Sequence, residues 1–180
     1  FIGTSTATSL LAATPPIVRV NVTAQRYGFV QPWRKANPQT RQGIGTVIKN
    51  KHILITGELI QNHTYIEIEI PGSNEKGTAE AVLIDYSANM ALIKPKDPEL
   101  LADITPAKLR PPSQTGDTLA VWQLKRNNSL MKTEGTITSI EVARYPKNDL
   151  ALLEYSLSTS LQSQPGSFTI PLFKNNRLAG

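Results

Sequence analysis

The chain offers little material for nucleophilic or metal chemistry. It contains no Cys, which removes thiolate catalysis, disulfides, zinc-finger sites and iron–sulfur clusters. Its two histidines are His52 and His63. No carboxylate or second histidine is spaced to join either of them on one face, so both read as surface or edge residues and no metal or other cofactor is expected. Any hydroxyl–imidazole–carboxylate catalysis would have to recruit one of these two rings. The 19 basic and 14 acidic residues leave a net charge of +5, and the basic residues are scattered. No like-charge block marks a nucleic-acid arm or a polybasic membrane segment. Arg34, Lys35 and Arg41 form a basic loop without an aromatic stacking platform, so no nucleic-acid partner is expected.

The elements that must position any site read as strand after strand. Ile17 to Thr23 alternates apolar and polar, the mark of a half-buried strand. Ile44 to Ile48 and Ile53 to Ile55 follow. Tyr65 to Ile70 is the cleanest alternation, with three isoleucines toward a core and Glu67 and Glu69 toward water. Pro71-Gly72 ends it with a turn. Ala79 to Ile84 and Met90 to Ile93 complete a first group. Between Lys94 and Gln114 five prolines (Pro95, Pro98, Pro106, Pro111, Pro112) mark a surface linker, with one helical turn near Glu99 to Ala102. A second group holds Thr118 to Gln123, Thr133 to Val142, Leu150 to Leu157, Thr169 to Phe173 and a start at Arg177. Short strands at roughly 8–12-residue spacing argue for a sandwich or barrel. With 180 residues and a break near the midpoint, two small barrels are the most economical architecture. The division expected is an N-terminal arm over 1–16, a first barrel over 17–94, a linker over 95–114 and a second barrel over 115–180. The arm's opening, Phe1 to Ala13, is uncharged and too short to span a bilayer. It reads as a loose arm, with a segment downstream of a membrane anchor as the alternative.

Specific residues carry a family resemblance. Gly43-Ile44-Gly45-Thr46-Val47-Ile48 resembles the Gly-x-Gly strand that opens the first barrel of HtrA/Deg-type trypsin-like serine proteases. Lys51 to Ile60 resembles the strand and turn where that family places its catalytic His. Asp85 to Ile93 resembles its Asp-Leu-Ala-Leu-Leu segment with the triad Asp. Gly116-Asp117-Thr118 resembles the strand that opens the second barrel, and Glu134 to Ile140 the strand after it. Gly166 to Phe173 sits where the family carries Gly-Asn-Ser-Gly-Gly-Pro-Leu, and Leu178-Ala179-Gly180 resembles the next strand. The matches run in order over nearly the whole chain. The fold they imply is all-β, with two six-stranded antiparallel barrels of trypsin-like (chymotrypsin-type) architecture.

Mapped onto the chain, the family's site is altered at every position. The base position falls on Glu58; a glutamate with an ordinary pKa near ~4.3 is a poor acceptor for a serine proton. Its plainer reading is a surface-turn carboxylate. The orienting carboxylate falls on Asn89, which carries no charge to stabilise an imidazolium. Asp85, upstream of it, reads as a turn residue. The nucleophile position falls on Phe168 if Pro171-Leu172-Phe173 anchors the comparison, the preferred alignment, or on Ser167 if Leu178-Ala179-Gly180 does. The oxyanion loop has become Pro165-Gly166, followed by residues other than the family's Gly-Gly pair. Pro165 has no N–H to contribute.

The expectation is therefore a catalytically inactive protease-like domain, a pseudoprotease and not an enzyme, that binds, scaffolds or regulates protein partners. An extended peptide would lie in its cleft by strand addition. One alternative is a serine endopeptidase with a rearranged site, drawing on Ser167, Ser160 or Ser163 with Glu58 or His63. Another is a structural oligomerisation module. The resemblance further implies a periplasmic or cell-envelope location, a following PDZ domain and a homotrimer through Tyr27, Phe29 and Trp33. The plainer reading of those three rings is a loop covering the first barrel. Trp122, on a strand, reads as core or barrel-edge packing.

Overall fold

The computed structural model describes residues 15–28, 30–31, 33–73, 75–125, 127–145, 150–161 and 169–180. Six strands form the first half: β1 (Ile17–Ala24), β2 (Gln39–Ile48), β3 (His52–Thr56), β4 (His63–Glu69), β5 (Lys76–Asp85) and β6 (Met90–Pro95). They close into a barrel in the order β1-β2-β3-β6-β5-β4. The second half contains β7 (Lys108–Leu109), β8 (Thr118–Leu124), β9 (Leu130–Arg144), β10 (Ala151–Thr159), β11 (Leu172–Lys174) and β12 (Arg177–Leu178). Among the described residues these form an open six-stranded half-barrel, β10-β9-β8-β11-β12-β7. The all-β, trypsin-like double-barrel architecture is thus the one the sequence implies. Among the described residues the ladders are antiparallel except that of β12 with β7, which is parallel.

The barrel closes because its strands bury alternate residues. Val18, Val20 and Val22 of β1 meet Ile66 and Ile68 of β4, Ile53 and Ile55 of β3 and Ile93 of β6 in one core. Both glycines of the Gly43-Ile44-Gly45 strand are dictated by that crowding. A Cβ on Gly45 would lie 2.3 Å from Ile53 Cγ2, and one on Gly43 would lie 2.6 Å from Leu59 Cδ2. Between them Ile44 points the other way. It joins Ile17, Ala107, Leu124, Phe173 and Leu178 in a second core between the two halves. Trp122 packs, half-buried, against that second core.

Several elements depart from the sequence reading. β2 starts at Gln39, five residues ahead of Ile44, because its polar first half pairs with the end of β1, down to Ala24↔Gln39. The ladder holds this stretch where burial does not. β9 runs three residues further back than expected, to Leu130, along its pairing with β8. The strand expected from Thr169 begins only at Leu172: Pro171 has no N–H to give, and its carbonyl accepts from Trp122 N–H at 3.4 Å. The linker holds a 3₁₀ turn over Pro98–Leu101, capped by Asp97, whose Oδ1 accepts from Glu99 N–H at 3.0 Å. Lys51 Nζ gathers the carbonyls at the end of the turn and beyond it, those of Leu101, Ala102 and Ile104. Further along the linker, Lys108 and Leu109 form β7. Ile66 and Ile68 are buried as expected, but Glu69 is not simply turned to water: its side chain is 16% exposed. It accepts from Asn128 Nδ2 at 3.0 Å, and Asn128 Oδ1 in turn accepts from Nε of the buried Arg19 at 3.1 Å. Arg19 also reaches the carbonyl of Lys125. This chain of contacts ties the β8–β9 hairpin to the first barrel.

Candidate active site

Register brings the first two positions together. β3 and β6 run antiparallel with Thr56 opposite Met90, so the residues just after β3 meet the residue just before β6. Glu58 therefore sits beside Asn89. Gly57 N–H donates to the Asn89 carbonyl at 3.1 Å, and Glu58 N–H donates to Asn89 Oδ1 at 2.8 Å. The turn carrying Glu58 is held from beneath by Leu59 and Ile60, both fully buried. From the side, Arg41 Nη1 donates to the Glu58 carbonyl at 2.9 Å. The Glu58 residue itself is half-buried.

Asn89 does more than the sequence suggested. Its φ is +50°, in the left-handed region that Asn tolerates better than most residues. The turn leading to it is closed by Asp85, whose Oδ1 accepts from Ser87 N–H at 2.8 Å and Ala88 N–H at 3.1 Å. While Oδ1 of Asn89 holds the Glu58 turn, Nδ2 donates to the Tyr145 hydroxyl at 2.6 Å. Tyr145 follows β9 in the second half. One side chain thus joins both halves. A second junction lies close by in sequence: Thr56 Oγ1 and Thr169 Oγ1 share a hydrogen bond at 3.1 Å. Neither Tyr145 nor this threonine pair carries a local signal, because each contact spans the two halves of the chain.

The other expected positions divide. Phe168, Ser167, Pro165, Gly166 and Ser163 lie outside the described residues, as does Phe29. Ser160 follows β10 and is exposed. His63 opens β4, and its Nδ1–H donates to the Ile60 carbonyl at 2.8 Å. His52 opens β3, at the far end of the strand from Glu58, with Nδ1 3.4 Å from the Lys49 carbonyl. Among the described residues no three His, Asp or Glu side chains gather where a metal ion could be held. Tyr27 is 66% and Trp33 81% exposed, so these rings do not cover the first barrel. Lys35 Nζ sits 5.5 Å from the Tyr27 ring centroid.

No protein-family model matches the chain. Its sequence is 26% identical over 176 residues to Protease Do-like 4, mitochondrial, of Arabidopsis thaliana, covering 97% of this chain and 34% of that protein. It is 22% identical over 153 residues to Putative protease Do-like 6, chloroplastic, of the same plant, covering 84% of this chain and 69% of the relative. The chain thus spans about a third of the length of the first of these. Among solved structures, the active form of the Rv3671c protease from M. tuberculosis superposes with a TM-score of 0.71 at 16% identity, over 93% of this chain and 69% of that one. An HtrA-type AlgW protease variant with decapeptide gives 0.71 at 15% identity, over 92% and 54%.

These relatives correct the expectation that the chain is not an enzyme. The similar sequences are named proteases, and the structural neighbours are HtrA-type and related proteases, one of them in an active form. The physical reason lies in what was altered. Altered residue types at mapped positions do not by themselves establish loss of activity, because other groups can supply a nucleophile or a proton acceptor. The chain has the trypsin-like double-barrel fold, and in sequence it is similar to Do-like (HtrA/Deg-type) proteases.

Proposed function

We propose that this domain is a serine endopeptidase of Do-like type with a rearranged catalytic set, acting on extended polypeptide. In this reading Ser167 Oγ attacks the peptide carbonyl and Glu58, in place of the imidazole, receives its proton. The departing amine takes that proton, and water then releases the acyl group. Asn89 is a positioning residue: it fixes the Glu58 turn through the backbone and secures it to Tyr145. The observation that carries the proposal is the match to a protein named protease over 97% of the chain. The strand ladders leave the Glu58 turn next to the seam between the two halves, which supports the same reading. Exposed Tyr27 and Trp33 favour a homotrimer as the assembly in which the domain works. For location, the resemblance favours a periplasm or cell envelope. The plant relatives, named mitochondrial and chloroplastic, extend that proposal to organelles.

The test is labelling with a fluorophosphonate probe alongside digestion of unfolded casein. The expected result is cleavage of casein and covalent label at Ser167, both lost in Ser167→Ala. Cleavage is expected to fall at least about tenfold in Glu58→Gln while the thermal melt stays in place. A protein that neither cleaves nor takes up label overturns the proposal, and label mapping to Ser160 or Ser163 overturns the assignment to Ser167.

A further inference from the structure

A cavity of about 570 Å³ opens where the first barrel, the linker and the β11–β12 hairpin meet. It shares no lining residue with the Glu58–Asn89 seam. Its lining includes Pro15, Pro16, Pro71 and Pro106, with the half-buried Ile70 and Ile104 as its apolar side chains. Proline walls have fixed φ and no N–H, so the cavity is shaped in advance and costs little to organise on binding. At its rim, Lys108 of β7 and Arg177 of β12 are register partners in the parallel ladder and both line the cavity. Like charges side by side on neighbouring strands are destabilising.

The neighbourhood makes the contrast sharper. Arg110 and Lys174, on the same pair of segments, are both satisfied by Asp117. Lys108 and Arg177 have no ion-pair partner among the described residues, and Asp103, the carboxylate on the lining, lies beyond ion-pair reach of both. Beside them Asn175 and Asn176 form a two-residue hairpin turn with φ of +50° and +61°, the geometry of a type I′ turn. Both residues line the same cavity.

We propose that this cavity binds a carboxylate carried on an apolar body, and specifically the C-terminal residue of a polypeptide. Lys108 and Arg177 receive the carboxylate, Arg177 in the bidentate manner open to a guanidinium. The proline and isoleucine walls take the apolar side chain. Two cations without partners beside a rigid apolar cavity match that ligand in charge and in shape.

The probe is an N-acetylated pentapeptide ending in leucine, titrated calorimetrically into the chain. Its C-terminal amide, N-acetylleucine and inorganic phosphate serve as separate arms. The peptide acid is expected to bind at least about tenfold tighter than the amide, and Lys108→Gln with Arg177→Gln is expected to remove that preference. The same double variant is expected to melt no lower than the parent, since it relieves a like-charge pair; a lower melt counts against the site. Equal binding of acid and amide, or no binding by either, overturns the proposal. Phosphate binding as tightly as the peptide overturns the apolar part, and N-acetylleucine doing so overturns the polypeptide part.

Discussion

At the residue scale, Asp117 in the second half has a titration set by the cations around it. The Lys174 ammonium beside Asp117, helped by Gln114 N–H and the Arg110 guanidinium, holds its carboxyl down at about 2. The stabilisation this cluster gives is complete above the ordinary aspartate range near ~3.9 and is lost as pH falls toward about 2. Asp117→Asn is therefore expected to be less stable than the parent at neutral pH, and urea midpoints of the two should converge as pH drops from about 4 to about 2. A constant gap across that range would rule the cluster out as its cause. Sequence reading placed Asp117 only as part of the Gly116-Asp117-Thr118 strand opening. Its two cations come from 110 and 174, on either side in sequence, so nothing local announces them. Asn89 shows the same limit in another form. Its residue type is legible in the sequence, but its bonds to the Glu58 backbone and to Tyr145 depend on barrel register and on a residue of the other half.

At the scale of elements, much was legible because a strand's period is local. Isoleucines at alternate positions put Ile66 and Ile68 inside, as read, and the Pro71-Gly72 turn has Gly72 at φ +77° with Ser73 N–H donating to the Ile70 carbonyl at 3.2 Å. That is a type II turn, with Pro and Gly at its two central positions. Strand ends were less legible. The polar start of β2 is held by its neighbour's backbone, and the two residues of β7 gain their ladder from a partner far along the chain. The Gly43-Ile44-Gly45 strand was recognised by likeness alone; the structure supplies its cause. Gly45→Ala is expected to cost roughly 1–3 kcal/mol in urea unfolding, because the new methyl must displace Ile53 in a packed interior. Gly72→Ala meets nothing within 4 Å, and its cost is backbone strain alone. If the two variants are equally stable, crowding is not the reason for Gly45.

At the scale of the molecule, two cores divide the work. One lies inside the closed barrel; the other fills the space between the halves and takes side chains from both and from the linker. Around that second core run the polar ties: Arg19 to Asn128 to Glu69, Asn89 to Tyr145, and Thr56 to Thr169. Asn128 has φ +62°, so Asn128→Gly keeps its backbone conformation and removes only the side chain. That change leaves the buried Arg19 Nε without its acceptor and is expected to cost roughly 1–3 kcal/mol in chemical denaturation. An unchanged midpoint would show that Asn128 does not tie the halves. The parallel pairing of β7 with β12 bears also on the order in which the chain is made. The first barrel is contiguous from Ile17 to Pro95 and can shut while the remainder is still on the ribosome. Lys108 and Leu109 emerge soon afterwards, yet their partners Arg177 and Leu178 are added almost seventy residues later. At about 5–20 residues per second, the segment between the halves stays unpaired for several seconds of each synthesis. During that interval Ile17 and Ile44 lack the cover that Leu124, Phe173 and Leu178 give them in the finished domain.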